Sequence, residues 1–271
     1  MAGRALTWIG FAACYVFLYA PLVTIVVFSF NDSTSQSLPF THFTTRWYSQ
    51  LLNDSAIFHA LRISLEVAAG TVSIAGIIGT AFALIFYRAP SRTATAIQGA
   101  LTIPFLLPGM VLGLSLAITF NALGLSLGLL TVMVGHASFV TPVVSLIVLS
   151  RLRRIDPSYV QASMDLGAGR LRTFWHVVLP QIRTALLVAC LLGFTLSFDE
   201  IIVTFFLVGP SPTLPVFVWN QLRFGFTPEI NAIFSCIGVA SFVIVVTSTQ
   251  ILRRDLRRAA PGAEAALLPT A

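Results

Sequence analysis

The sequence predicts an all-α membrane protein with six transmembrane helices. The chain has 271 residues, of which 56% are hydrophobic and 10% are charged, whereas about a quarter of the residues in soluble domains are charged. Apolar runs of about 20 residues, the length that crosses a bilayer, recur along the whole chain. Every basic residue is an arginine, and the arginines fall mainly in alternate loops between these runs. Composition, run length and charge placement therefore agree on a multi-pass membrane protein.

The predicted spans divide the chain into three regions. Residues 1–59 hold the first span and a polar external loop, residues 60–252 hold the other five spans, and residues 253–271 form a tail. Arg4 precedes the first span, but this apolar run is too long for a signal-peptide core and no small-residue cleavage site follows it. We therefore expect a retained helix. The six spans are predicted at residues 7–30, 60–87, 96–120, 127–150, 183–208 and 231–252.

Arginine placement predicts the orientation of the helices. If the spans alternate across the membrane, only Arg46, Arg62 and Arg223 lie on one side, and the other thirteen arginines lie opposite. Because cytoplasmic loops are enriched in arginine, both termini are expected in the cytoplasm. The sequence pI near 9.9 then reflects orientation and contact with anionic membrane lipids rather than nucleic-acid binding. A DNA-binding helix-turn-helix at 151–183 is disfavoured because the membrane tethers both of its ends.

Prolines and aromatic residues mark the first loops. Trp47 and Tyr48 are expected at the membrane interface, where such side chains are enriched. In the third span, "TIPFLLPG" contains Pro104 and Pro108, and each should kink the helix, for packing or for gating. The loop 121–126 is short, so the third and fourth spans should form a hairpin.

The sequence offers no catalytic or metal chemistry. Cys14, Cys190 and Cys236 lie in predicted spans without a CxxC pattern, so we interpret them as packing residues. The motifs HExxH, GxSxG and GxxxxGK[ST] are missing from the sequence. We expect no cofactor, no metal and no enzymatic activity, and the chain offers no phosphate loop for ATP.

A polar segment between the fourth and fifth spans, "VQASMDLGAGRLRTFWHVVLP" at 160–180, differs from its surroundings. Asp156 suits a helix N-cap and Pro157 the first helical position. A short helix should end near Leu166, with Gly167 as the stop in a left-handed conformation. A second helix should begin near Arg170 and end before Pro180. Its apolar residues Leu171, Phe174, Trp175 and Val178 share one face.

This segment resembles the EAA loop of the permeases of ATP-binding-cassette (ABC) importers, a pattern of E-A-A, three residues, glycine, nine residues and I-x-L-P. The spacing matches throughout, and the departures are Gln161 for glutamate, Ser163 for alanine and Val177 for isoleucine. The resemblance implies that the loop at 151–182 is a coupling helix that docks on a separate ATPase; the alternative is an amphipathic hairpin lying on lipid. The implied coupling residues are Gln161, Ala162, Ser163, Asp165, Gly167, Leu179 and Pro180.

A narrower resemblance follows in "FTLSFDEIIVTFFLVGP" and "TLPVFVWNQLRFGFTPEINA", which are similar to the PotC-like branch of spermidine/putrescine permeases. That branch also contains importers of aminoethylphosphonate, opines and related amines. The resemblance therefore implies a polyamine or related amine as substrate. It also implies an ATP-binding subunit pair, a second homologous permease and an extracytoplasmic substrate-binding protein as partners, in the inner membrane of a bacterium.

The acidic pair Asp199-Glu200 lies inside the predicted fifth span. If that span is one helix, Asp199 lies about 24 Å along it from Arg183, and an isolated carboxylate in hydrocarbon costs about 3 kcal/mol or more. We therefore predict a path for a cationic substrate formed by Asp199, Glu200 and Phe198, with Asp199 facing it. The aromatic faces of Phe194 and Phe205 could assist. A structural ion pair with a partner permease, or a protonated acid between helices, is the alternative.

Three functions remain in competition. The first is an ABC-importer permease for an amine. The second is an ATP-independent secondary transporter or channel, although the sequence shows no convincing internal repeat. The third is a membrane-embedded enzyme, which would need a nucleophile–base or metal constellation. His136, in the fourth span, is interpreted as a packing histidine with satisfied hydrogen bonds.

Overall fold

A computed structural model of the chain describes residues 2–33, 40, 42–224, 228–239, 242–243 and 250. The chain divides into two compact units, residues 1–54 together with 221–271, and residues 55–220. The described residues are helical apart from turns, short connections and an isolated β-bridge between Asn31 and Phe43. The helices are α1 (Ala2–Phe28), α2 (Arg46–Asn53), α3 (Ser55–Arg88), α4 (Ser91–Leu106), α5 (Gly109–Ala122), α6 (Leu129–Leu152), α7 (Pro157–Asp165), α8 (Arg170–Thr173), α9 (Leu179–Phe198), α10 (Ile202–Leu207), α11 (Leu214–Phe224) and α12 (Pro228–Val239).

Within the described residues, four helices are long and apolar enough to cross a membrane: Thr7–Phe28, Ser55–Arg88, Leu129–Leu152 and Arg170–Phe198. They correspond to the predicted first, second, fourth and fifth spans. The third is a bent pair, Arg92–Leu106 and Gly109–Ala122, with an angle of 101° between its halves. The predicted sixth span contains α12, which by itself is shorter than the about 20 residues needed to cross a bilayer. Most of residues 240–252 and all of the tail 253–271 lie outside the described residues.

The core of residues 55–220 forms where α3, α6 and α9 pack together. One stripe of α6 is fully buried at four-residue intervals, which is one face of a helix; it consists of Val132, His136, Val140, Val144 and Val148. Gly79 on α3 permits close approach to this stripe, because a Cβ there would lie 2.9 Å from the side chain of Val144. Small residues and valines therefore bring these helices close together.

In the other unit, hydrogen bonds tie the loop after α1 to α2. The Trp47 indole donates to the carbonyl oxygen of Asn31 at 2.7 Å, and the hydroxyls of Ser29 and Tyr48 are 2.6 Å apart. Arg46 forms an ion pair with Asp32 at 2.9 Å. Trp47 is only 6% exposed, and its place at a membrane interface stays a prediction.

Both prolines of the third span were predicted to kink it, but only one interrupts it. Pro104 lies inside α4, whereas α4 ends at Leu106 and α5 begins directly after Pro108. Proline lacks an N–H and disfavours a helical conformation in the residue before it. The extended backbone of Leu107, with ψ 142°, matches that restriction.

Two predictions about the fifth span were wrong. The helix that begins at Arg170 does not end before Pro180; it continues through a π-helical turn, Phe174–Val178, into α9. The π-helical turn ends just ahead of Pro180, and this local change in the hydrogen-bond pattern accommodates a residue without an N–H in a helix that continues. Conversely, the predicted continuous span 183–208 is interrupted at Asp199–Ile201, between α9 and α10. Residues 194–208 contain neither glycine nor proline, so tertiary contacts must maintain this break.

Candidate functional site

The polar loop begins with a capped helix, as the sequence predicted. The Asp156 carboxylate accepts a hydrogen bond from the backbone N–H of Ser158 at 2.9 Å, and Pro157 occupies the first position of α7. The hydrogen bond from the Ser158 N–H, with a further one from its side chain, holds the pKa of Asp156 below its ordinary value. The cap satisfies one of the free N–H groups at the helix start.

Gly167 ends α7 in the left-handed conformation, with φ 81°. Its N–H donates to the carbonyl of Met164 at 2.9 Å, and the N–H of Ala168 donates to that of Ser163 at 3.1 Å. This pair of bonds closes a helix at a left-handed residue, where a side chain is costly. The predicted glycine stop is confirmed, and it sets the direction in which the chain leaves α7.

Helix α7 has no buried residue. Of the implied coupling residues, Gln161, Ala162 and Asp165 are exposed, while Ser163 is half-buried. The hydroxyls of Ser163 and Thr173 are 3.1 Å apart and link α7 to α8. Further along the chain, Leu179 and Pro180 lie in the first turn of α9, where Leu179 is half-buried and Pro180 is exposed.

An apolar surface accompanies these polar residues, and the sequence pattern did not single it out. Leu166 is 90% exposed, and Tyr159 and Met164 are 58% and 47% exposed. A cavity of about 340 Å³ lies between the loop and the ends of α3 and α6, and Met164, Arg88 and Arg170 all line it. The loop thus presents a partly apolar helix that stands away from the core.

The two carboxylates of the acidic pair differ in their surroundings. Asp199 is the C-cap residue of α9 and is exposed, and it has no ion pair within the described part of the chain. Glu200 is half-buried, and its Oε1 accepts a hydrogen bond from the N–H of Val203 at 2.9 Å. Glu200 therefore caps the start of α10, while the Asp199 carboxylate has no such partner among the residues that the structure describes.

The breaks in the third and fifth spans lie next to each other. A Cβ placed on Gly109, the first residue of α5, would lie 3.4 Å from Cβ of Ile202 and 3.8 Å from Oε1 of Glu200. Phe198, the last residue of α9, is half-buried and stacks on Phe194 with ring centroids 5.9 Å apart. The acidic pair and Phe198 therefore occupy a junction of two interrupted helices. Of the residues at this junction, only Pro108 indicated from the sequence that a helix is interrupted here.

His136 bonds to both sides of the break in the fifth span. Its Nδ1 lies 2.8 Å from the hydroxyl of Ser197, before the break, and its Nε2 lies 2.9 Å from that of Thr204, after it. The prediction of a satisfied histidine is confirmed. The link between α9 and α10 was not predicted, because a lone histidine in an apolar run does not indicate its partners.

The chain is similar to proteins of known function along nearly its whole length. The family described as "Binding-protein-dependent transport system inner membrane component" matches residues 59–259. The chain is 36% identical to the putrescine transport system permease protein PotI of Escherichia coli strain K12 over 263 residues, covering 92% of this chain and 93% of that protein. It is 34% identical to the spermidine/putrescine transport system permease protein PotC of the same strain over 256 residues, covering 94% and 96%.

Solved structures show the same fold at lower identity. A bacterial ABC transporter involved in the import of the acidic polysaccharide alginate matches with a TM-score of 0.64 and 18% identity, covering 94% of this chain and 97% of that chain. The MetNI methionine ABC transporter matches with a TM-score of 0.55 and 18% identity, covering 80% and 99%. At these identities the likeness concerns the fold alone.

Proposed function

Because the chain belongs to the family of binding-protein-dependent transport system inner membrane components, a family of multi-pass permeases rather than enzymes, we propose that it is a permease subunit of an ABC importer for polyamines. The observation that carries the substrate class is the similarity to two polyamine permeases over more than nine-tenths of the chain. The alternative from the sequence, an ATP-independent channel or secondary transporter, is disfavoured by the family match and by both polyamine permease relatives.

We propose that Asp199 provides the charge that a polyamine meets in this subunit. An exposed, unpaired carboxylate facing lipid would cost several kcal/mol, so it needs a polar path or a cationic partner. A polyamine carries several ammonium groups, and attraction between opposite charges grows as the local dielectric falls. Phe198 adds an aromatic face beside the same helix end. The attraction must remain moderate, since a site that binds too tightly would retain its cargo.

We propose that the loop at 151–182 couples this subunit to ATP hydrolysis on a separate pair of ATP-binding subunits. The support is physical: no side chain of α7 is fully buried, and the segment exposes Leu166, Tyr159 and Met164. A short helix with exposed apolar residues suits docking in a groove of another protein. The residues assigned to this contact are Gln161, Ala162, Ser163, Asp165, Gly167, Leu179 and Pro180.

The remaining partners follow from the same assignment. This chain forms half of a pathway with a second, homologous permease, and an extracytoplasmic binding protein delivers the substrate. We place both termini in the cytoplasm. Two of the three arginines assigned to the outside, Arg46 and Arg62, form ion pairs with Asp32 and Glu66. Among the described residues from Arg88 to Arg183, no arginine forms an ion pair with a carboxylate. Apart from Arg151, which donates to the carbonyl of Gln181, these arginines suit contact with anionic headgroups.

The test is uptake of labelled putrescine and spermidine into proteoliposomes that contain this chain, the second permease, the ATPase and the binding protein. Asp199→Asn keeps size and hydrogen bonding but removes the charge, so uptake should fall about tenfold or more while the complex assembles and basal ATP hydrolysis continues. Glu200→Gln is the matched control, because the amide oxygen still caps Val203. Normal uptake by Asp199→Asn would contradict the path. ATP-independent uptake by the unmodified proteins would favour the channel.

A further inference from the structure

His136 is the one polar residue in the buried stripe of α6. Four valines share that stripe, and all five side chains are fully buried. A polar ring in such a place is costly unless its nitrogens are hydrogen-bonded. Both nitrogens are bonded, and their partners, Ser197 and Thr204, are 3% and 0% exposed. The histidine therefore contributes a specific connection between helices as well as volume.

The directions of these hydrogen bonds follow from the proton count. The hydroxyl of Thr204 donates to the backbone carbonyl of Glu200 at 2.8 Å, so its oxygen must accept from the Nε2–H of His136. A neutral imidazole carries one N–H, so Nδ1 accepts from the hydroxyl of Ser197. The result is a continuous chain of donors from α9, through α6, to α10 and back to the carbonyl of Glu200. It spans the break at Asp199–Ile201.

The interruption brings these two hydroxyls within reach of a single imidazole more easily than a continuous helix would. In a continuous α-helix, residues seven apart lie about 10.5 Å apart along the axis. Two hydrogen bonds with a ring between them extend about 8 Å at most. Since residues 194–208 contain no helix-breaking glycine or proline, both bonds favour the interrupted form over the continuous one.

We propose that His136 is a positioning residue that holds the fifth span in its interrupted form and thereby fixes where the Asp199 carboxylate lies. The importance of this position for transport rests on the proposed substrate path. Loss of the imidazole leaves neither hydroxyl without a hydrogen-bond partner. Thr204 keeps its bond to the Glu200 carbonyl, and Ser197, as a serine in a helix, can bond to a carbonyl of the preceding turn. His136→Leu is therefore expected to fold with a less constrained break.

Disulfide formation across the junction tests the geometry directly. Gly109→Cys with Ile202→Cys places two Cβ atoms about 3.4 Å apart, close to the usual disulfide range. The measurement uses assembled complexes in which the native cysteines Cys14, Cys190 and Cys236 have been replaced. There, His136→Leu should slow cross-linking between residues 109 and 202 about tenfold or more, because two buried hydrogen bonds are lost. His136→Gln, which keeps one donor and one acceptor, should restore most of the rate.

A second cysteine pair away from the junction is the control. In complexes that keep native Cys190, Gly76→Cys can pair with that residue, because a Cβ on residue 76 lies 3.6 Å from the Cys190 sulfur. His136→Leu should not change the rate of cross-linking of this control pair.

Uptake per ATP hydrolysed then tests the consequence. If His136 acts through Asp199, His136→Leu combined with Asp199→Asn should transport no less than Asp199→Asn alone. A residue that served only stability would lower the amount of complex without changing uptake per complex. In the His136→Leu background, adding Ser197→Ala and Thr204→Val should slow cross-linking no further, because the hydrogen bonds to the ring are already absent.

Unchanged cross-linking at the junction in His136→Leu would overturn the proposal. Slower cross-linking with normal uptake per complex would overturn its positioning role. Normal uptake by Asp199→Asn alone would instead contradict the substrate path, and the cross-linking result would still decide whether His136 holds the break.

Discussion

Replacing Gly167 with alanine isolates the conformational requirement of the loop. Gly167 has φ 81°, and a Cβ added there would meet no atom within 4 Å, so the substitution costs only the left-handed conformation, about 1–2 kcal/mol for a residue with a side chain. Helix α7 buries no residue, so little tertiary packing opposes this cost. The population of the closed turn should fall about 5- to 30-fold. Gly167→Val should be more severe, and Gly167→Asn milder, since asparagine tolerates this conformation.

Gly169 supplies a matched control two residues away. A Cβ added to Gly169 would also meet no atom within 4 Å, but its φ is −68°, which any residue adopts. Gly169→Ala should therefore behave like the unmodified protein. The assay is putrescine uptake and ATP hydrolysis by the same proteoliposomes, with membrane insertion measured separately. Gly167→Ala should insert normally and continue to hydrolyse ATP but lose most uptake. Equal uptake by the two alanine variants would refute the argument that the left-handed turn is needed for coupling.

Two further predictions concern pH and helix packing. The pKa of Asp156 is lowered in the folded loop, so its stabilisation of α7 is fully present above the ordinary aspartate pKa and is lost as pH falls below about 4. Hydrogen exchange of the α7 amides, corrected for intrinsic rates, should therefore become faster below that pH. Asp156→Asn should remove this pH dependence. Gly113→Ala should destabilise the complex by about 1–3 kcal/mol, because its Cβ would lie 2.8 Å from the Phe206 ring and 3.1 Å from Cα of Val203. In thermal unfolding, Gly99→Ala on α4, with open space around it, should be neutral, and equal losses in the two variants would contradict this packing argument.

The sequence predicted features that depend on local chemistry. Apolar length located the first, second and fourth spans, because a bilayer requires about 20 apolar residues whatever the tertiary structure. The cap at Asp156 and the stop at Gly167 were predicted because each acts on backbone groups within a few residues. For the same reason, Pro104 and Pro108 were both predicted to kink the third span, and the helix breaks at Pro108 alone of the two.

Features that depend on distant residues were missed. The break at Asp199–Ile201 has no local breaker, and its contacts come from a histidine more than 60 positions earlier in the chain. The different surroundings of the acidic pair likewise follow from the break, since Glu200 can cap α10 only where a helix begins. The helix through Pro180 was missed for the opposite reason: a strong local signal was offset by the π-helical turn before it.

The unpredicted continuity from Arg170 to Phe198 bears on how the two proposed sites communicate. This 29-residue helix is about 43 Å long, begins three residues after Gly167 and ends immediately before Asp199. A displacement of the loop by a docked partner would therefore act on the acidic junction through one helix, without an intervening flexible connection. Coupling of this kind requires an element with two arrangements that both sites bias. The junction bonded by His136 is the element that we propose for this role, because both of its hydrogen bonds cross the break and a change in the break would alter them.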